Sequence, residues 1–237
     1  MNWELIWDNL GFLLISIAIV AVLGCGTRLV EKHLKEIRPT TPARRVSIIG
    51  ICAAIATVLH MLDFPLLFLT PEFYKLDFSE LPVLLCGFYL GPSACVACEG
   101  VKILLKLLLK GTSTAFVGDL ANFVVVCSFV LPATIWYHAR KSRHSAIIGL
   151  TLGTACLTVF GSAFNAIYLL PKFSELYGLP LETIVAMGTA IWGGVKNVTT
   201  FVIPCVAPLN VVKGTVVSIL TMLLYKRVAR PLFGLHR

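Results

Sequence analysis

Lys213 makes the clearest chemical demand in this sequence, because it is the lone charge in the run Asn197–Tyr225. A charge at the centre of a membrane helix costs about 2.5–3.5 kcal/mol on insertion scales, so this ammonium needs a partner or a wet cavity. A blander reading stands beside that one. Lys213 follows Pro208 closely, and its long side chain could reach water at an outer helix end. Asn210 lies three residues earlier, on the same helical face, so amide and ammonium together can donate and accept hydrogen bonds. Asn165 is a lone amide in the longest uncharged run, and Asn122 is another just inside a helix. A buried Asn more often joins two helices than binds a ligand. Such amides near the outer halves of their helices, beside a lysine, point to a polar-lined pocket in an apolar bundle.

Glu99, Lys102, Lys106 and Lys110 follow one another at spacings of three, four and four, which places them on one helical face. That stripe must face the bundle interior, water or the headgroups. Cys95 and Cys98 form a Cys-x-x-Cys, but a metal would need further ligands and the redox motif belongs to another fold context. The eight cysteines read as small apolar packing residues. No paired-carboxylate motif, His/Cys metal set, phosphate-cradling Gly loop with Lys, or nucleophile with a base is present, so the expected protein is not an enzyme and has no metal.

These groups must be held by membrane helices. Of the 237 residues, 57% are hydrophobic and 14% charged, and the mean hydropathy is +0.88, far from the composition of soluble domains. Asn9–Thr27, Val46–Leu62, Leu120–Tyr137 and Ser145–Pro171 contain no Asp, Glu, Lys or Arg. Each is about long enough to cross ~30 Å of hydrocarbon as an α-helix, the form that satisfies its own backbone in lipid. The net charge of +8 does not indicate nucleic acid, since no contiguous basic docking face appears. Basic residues cluster instead at Arg28–Arg45 (with Lys32, Lys35, Arg38 and Arg44), at Arg140–Arg143 and at Lys226–Arg230. Acidic residues gather at Glu4 and Asp8, at Asp63, Glu72, Asp77 and Glu80, and at Glu175 and Glu182. The positive-inside rule makes the basic clusters cytoplasmic, giving about seven crossings with the N-terminus outside and the C-terminus inside.

Leu10–Gly26 has acidic residues before it and basic ones after, the wrong polarity for a cleavable signal. It reads as an extra transmembrane helix, residues 1–43 with its linker (Pro39 to Pro42), ahead of a membrane domain at 44–237. Core helices are expected at about Val46–Leu62, Phe78–Tyr89, Ser93–Lys110, Asp119–His138, Ser145–Leu170 and Leu209–Tyr225, with a tight turn at Gly91–Pro92 and an irregular external stretch around Glu182–Pro208. No internal repeat supports an inverted-repeat carrier. Ser47, Gly50, Ala53, Ala54 and Thr57 give the first core helix small residues that let another helix approach.

Several stretches, in order, resemble the riboflavin-type S components, the substrate-binding membrane subunits of energy-coupling factor (ECF) transporters. They are Phe64-Pro65-Leu66, Lys75-Leu76-Asp77-Phe78-Ser79-Glu80-Leu81-Pro82 and Gly87-Phe88-Tyr89-Leu90-Gly91-Pro92. Lys110-Gly111-Thr112-Ser113-Thr114 and Gly118-Asp119-Leu120-Ala121-Asn122-Phe123 continue the series. Asn165 with Tyr168-Leu169-Leu170-Pro171, and Leu209-Asn210-Val211-Val212-Lys213-Gly214, complete it. The resemblance implies an all-α membrane fold, a six-helix S-component bundle plus one extra N-terminal helix, in the bacterial cell membrane and surrounded by lipid. It implies capture of riboflavin, as transported ligand rather than cofactor, from the external side. Lys75, Leu76, Asp77, Phe78, Asn122, Asn165, Asn210 and Lys213 match positions expected at or near that site. Ser47, Gly50, Ala53, Ala54 and Thr57 match the surface that docks on a transmembrane coupling subunit, with two cytoplasmic ATPases completing the machine. The extra helix and the stretch Trp192-Gly193-Gly194-Val195-Lys196 depart from the family pattern.

Two other functions remain open from the residues alone. An S component for another vitamin or precursor would share this fold. A stand-alone secondary carrier would use an intramembrane carboxylate, for which Glu99 is the candidate.

Overall fold

The computed structural model describes residues 3–34, 40–112, 114 and 116–233, with side chains from Ile17 onward except at Tyr177, Lys226 and 228–233. Lys35, Arg38, Pro39 and Ser113 therefore lie outside the described residues, as do the side chains of Glu4, Asp8, Lys226 and Arg230.

Apolarity and helix punctuation together explain most of the elements. Helix α1 runs from Trp3 to Glu31 and α2 from Pro42 to Met61, with Pro42 in its first turn, where the missing N–H costs nothing. A short ribbon follows, β1 (Phe64–Pro65) antiparallel to β2 (Lys75–Leu76), with Phe64 opposite Leu76 and Pro65 opposite Lys75. This ribbon is an addition to the all-helical expectation. It folds the loop after α2 back on itself before α3, Glu80–Leu90. The turn into α4 (Pro92–Lys110) falls where expected. Gly91 sits at φ 108°, a conformation that favours glycine, and Pro92 opens the next helix. Then come α5 (Val117–Ala139) and α6 (Arg143–Phe164). Helix α6 passes through a π turn at Asn165–Leu169 into α7, Leu170–Tyr177.

The last third corrects the expected pattern. Residues 182–208 are not mainly irregular: they contain α8, Leu181–Thr189, and a four-residue α9, Val198–Phe201. A π turn at Val202–Val206 then leads directly into α10, Ala207–Phe233. Pro204 and Pro208 do not end the helix. A proline removes one ladder hydrogen bond and crowds the carbonyl four residues back, and the wider π turn gives that carbonyl room. The final span therefore begins near Val198 rather than Leu209.

Among the described residues, four helical runs are long and apolar enough to cross a membrane: Pro42–Met61, Val117–Ala139, Arg143–Leu176 and Val198–Tyr225. Two large apolar clusters form the main cores, beside two smaller ones. The larger contains Ala53, Val83, Phe88, Phe129, Leu157 and Val217; the other gathers Tyr74, Leu76, Leu170, Ile184, Phe201 and Leu209. Phe78 packs on both. Asn165, which opens the π turn after α6, and Asn210 and Lys213 on α10 fall in sequence between members of the two cores.

Candidate ligand-binding site

The loop between α2 and α3, with the first residue of α3, delivers a carboxylate pair to Lys213. Lys213 Nζ lies 3.2 Å from Asp77 Oδ2 and 2.5 Å from Glu80 Oε1. His60, near the end of α2, places Nδ1 3.3 Å from Asp77 Oδ2. Asp77 is 3% exposed and Glu80 2%, so neither charge is left to water. The local fold aims Asp77: its Oδ1 accepts from the Ser79 backbone amide at 2.8 Å, a turn closed by its own side chain. Burial pushes the Asp77 carboxyl upward, but the Lys213 ammonium and His60 outweigh it and hold the group well below the usual carboxylate range. It is ionised, and the pairing is ionic. This answers both sequence readings of Lys213. The ammonium neither stretches to water nor pairs with Asn210; two carboxylates hold it.

Asn165 opens the π turn, is buried, and is occupied internally. Tyr74 OH donates to its Oδ1 at 2.7 Å, and its Nδ2 donates to the Gly161 carbonyl at 2.7 Å. Burial raises the Tyr74 phenol above its ordinary range, which keeps the donor proton in place. Gly161 also adjoins Asn210: a methyl there would stand 2.9 Å from Asn210 Nδ2. That amide nitrogen, on a residue 8% exposed, has no hydrogen-bond acceptor. A buried donor left unpaired costs about 1–3 kcal/mol, so Asn210 is a strong candidate to receive a ligand acceptor.

The other expected residues divide. Leu76 is buried in the second core, and Phe78 bridges the two cores and lies 6.1 Å from the Phe64 ring. Lys75 does not join the cluster. Its side chain is 43% exposed and pairs across the ribbon with Asp63 at 3.4 Å, because β2 alternates sides and buries Leu76 instead. Asn122 turns to the interior, where its Oδ1 accepts from Lys102 Nζ at 2.8 Å. On α2, Ser47, Gly50 and Ala54 form an exposed stripe, whereas Ala53 and Thr57 are buried. Thr57 Oγ1 donates to the carbonyls of Ala53 and, across to α4, Lys102. At 100° per residue these five positions span about 120° of the helix, and the Ala53–Thr57 edge of that face packs inward, so the open surface is narrower than the sequence suggested.

His60, Tyr74, Ser79 and Glu80 were not foreseen as site residues. Glu80 had a signal, since an intramembrane lysine calls for a carboxylate and two stand just before an apolar helix. Tyr74 had none. The Trp192–Lys196 stretch reaches the same α2–α3 loop, with Trp192 Nε1 donating to the Leu69 carbonyl at 3.2 Å. The largest lateral groove described, about 890 Å³ between α6 and α10, is lined by Leu150, Thr154, Ser218 and neighbours rather than by these polar residues.

Comparison with known proteins supplies the remaining constraint. Residues 44–225 match the family described as ECF transporter, substrate-specific component. The riboflavin transporter RibU of Staphylococcus aureus is 34% identical over 186 residues, covering 78% of this chain and 90% of that protein. The riboflavin transporter FmnP of Bacillus subtilis is 28% identical over 183 residues, 77% of this chain and 90% of its own length. A solved S component of a bacterial ECF transporter aligns with a TM-score of 0.62 at 36% identity, over 80% of this chain and 98% of that one.

Proposed function

The chain belongs to the family of ECF transporter substrate-specific components, and we propose that it captures riboflavin from the external side at the junction of its two cores. It is a multi-pass protein of the bacterial cell membrane. The riboflavin assignment draws on the relatives named RibU and FmnP. The observation that carries the site is Asn210 Nδ2, a buried donor without an acceptor, one helical turn from the Lys213–Asp77–Glu80 cluster. Riboflavin is uncharged and offers carbonyl oxygens and ring nitrogens on one edge. Such a ligand can satisfy Asn210 while leaving the carboxylates and the ammonium to neutralise one another.

Capture is not catalysis, and no resident cofactor is assigned. A transmembrane coupling subunit and two cytoplasmic ATPases complete the importer. The membrane domain at 44–237 binds the vitamin, the helix in 1–43 is an addition to it, and about seven crossings leave the C-terminus inside.

Isothermal titration of riboflavin into the detergent-purified chain tests the site. Asn210→Ala is expected to weaken binding by about 1–3 kcal/mol, the cost of stranding the ligand acceptor. Wild-type affinity in that variant would move the ligand elsewhere. Gly50 faces open space, and it shares the exposed stripe of α2 with Ala54. Gly50→Leu or Ala54→Leu is therefore expected to retain riboflavin binding and lose co-purification with the coupling subunit. Intact co-purification would take the docking surface off this stripe.

A further inference from the structure

The ionic groups of α4 play no part in the assignment above, yet they are the most deeply enclosed charges described. Glu99 and Lys102 are both 0% exposed. Lys102 Nζ has Glu99 Oε1 at 2.6 Å, Asn122 Oδ1 at 2.8 Å and Ser79 Oγ at 3.2 Å. Burying such a pair gains little stability, since apolar residues of similar volume often serve as well or better. What the pair supplies is direction. Its partners stand on two different elements, Asn122 on α5 and Ser79 immediately before α3. The Ser79 amide in turn holds Asp77 Oδ1, and Asp77 holds Lys213. With one lone pair of its carbonyl taken by the ammonium, Asn122 has its two N–H groups and one lone pair to offer.

We propose that Lys102, braced by Glu99, is a positioning residue that presets Asn122 and the Asp77–Glu80 turn before the ligand arrives. It touches no ligand and acts through the side chains it orients, so its loss is paid in preorganisation. This inference rests on the riboflavin reading of the site. It also accounts for the deeper half of the charged stripe without assigning Glu99 to ion coupling.

The test combines Glu99→Gln/Lys102→Met, which removes both charges, with Ser79→Ala, which cuts one link and leaves the ion pair. Each is compared with wild type by melting temperature in detergent and by riboflavin titration. The double variant is expected to melt near wild type and bind about tenfold more weakly. Ser79→Ala is expected to lose part of that affinity alone and nothing further in the double background, the mark of coupled residues. Wild-type affinity in both variants, or a Ser79→Ala loss that is the same in both backgrounds, would overturn the proposal. If the double variant does not fold, Ser79→Ala decides alone. If wild type binds no riboflavin, the ligand reading fails. Tryptic cleavage after Lys75 in the ligand-free protein then decides the positioning claim. Faster cleavage in Ser79→Ala supports it and an unchanged rate overturns it.

Discussion

Lys213→Ala is expected to cost the protein about 3–5 kcal/mol of stability, the scale for removing one partner of a buried ion pair. The variant strands two carboxylates, Asp77 and Glu80, that are nearly sealed from water. Helix α10 would lose its tie to the ligand loop and to the start of α3 together. Thermal melting of the ligand-free protein in detergent checks this. A companion, Lys213→Met with Asp77→Asn and Glu80→Gln, removes the stranded charges and is expected to recover most of the melting temperature. It is not expected to recover riboflavin binding, because the Asp77–Glu80 turn has lost its ionic tie to α10. Lys213→Ala melting like wild type would mean that the ammonium spends its time in water.

Gly153→Leu is expected to abolish the folded protein. Helices α5 and α6 approach backbone to backbone: a methyl on Gly149 would stand 2.6 Å from the Ala133 carbonyl oxygen, and one on Gly153 2.5 Å from that of Phe129. Neither obstacle is a side chain that can swing away. Gly153→Ala, the smallest intrusion, is expected to destabilise by about 1–3 kcal/mol, the usual cost of overpacking. Gly50→Ala is the internal control, because nothing stands within 4 Å of that position. Size-exclusion profiles and melting curves would show aggregated Gly153→Leu, lowered Gly153→Ala and unchanged Gly50→Ala. A Gly153→Ala protein as stable as wild type would contradict the close approach.

These two sites also show which features the amino-acid sequence carries plainly. Lipid enforces length and apolarity, so the uncharged run Leu120–Tyr137 foretells a helix found at Val117–Ala139. Gly91–Pro92 foretells its turn because few other residue pairs tolerate that backbone. The prolines of the last span mislead for a physical reason: a π turn absorbs Pro204 at small cost, and its formation depends on packing rather than on local propensity. The small-residue pairs mislead similarly. Gly50 and Ala54 have the same spacing as Gly149 and Gly153, yet the first pair is open and the second meets the backbone of α5. Only the fold distinguishes them.

The candidate site was legible as a demand and not as a geometry. An intramembrane lysine requires a partner, but Asp77 lies 136 residues away. Likewise Tyr74 and Asn165 are 91 residues apart, and no periodicity connects them. Lys75 follows the family pattern and still points outward, since the ribbon's alternation decides its side. Asn210 proved the most informative amide because its nitrogen is buried without an acceptor, a property that exists only once its neighbours are in place.

Flavin fluorescence, followed while riboflavin is titrated against the detergent-purified chain, tests the central claim most directly. Saturable quenching at about one riboflavin per chain, as expected for a single enclosed pocket, is the predicted result. A chain that melts cooperatively, leaves riboflavin fluorescence unquenched and binds a different vitamin would contradict it.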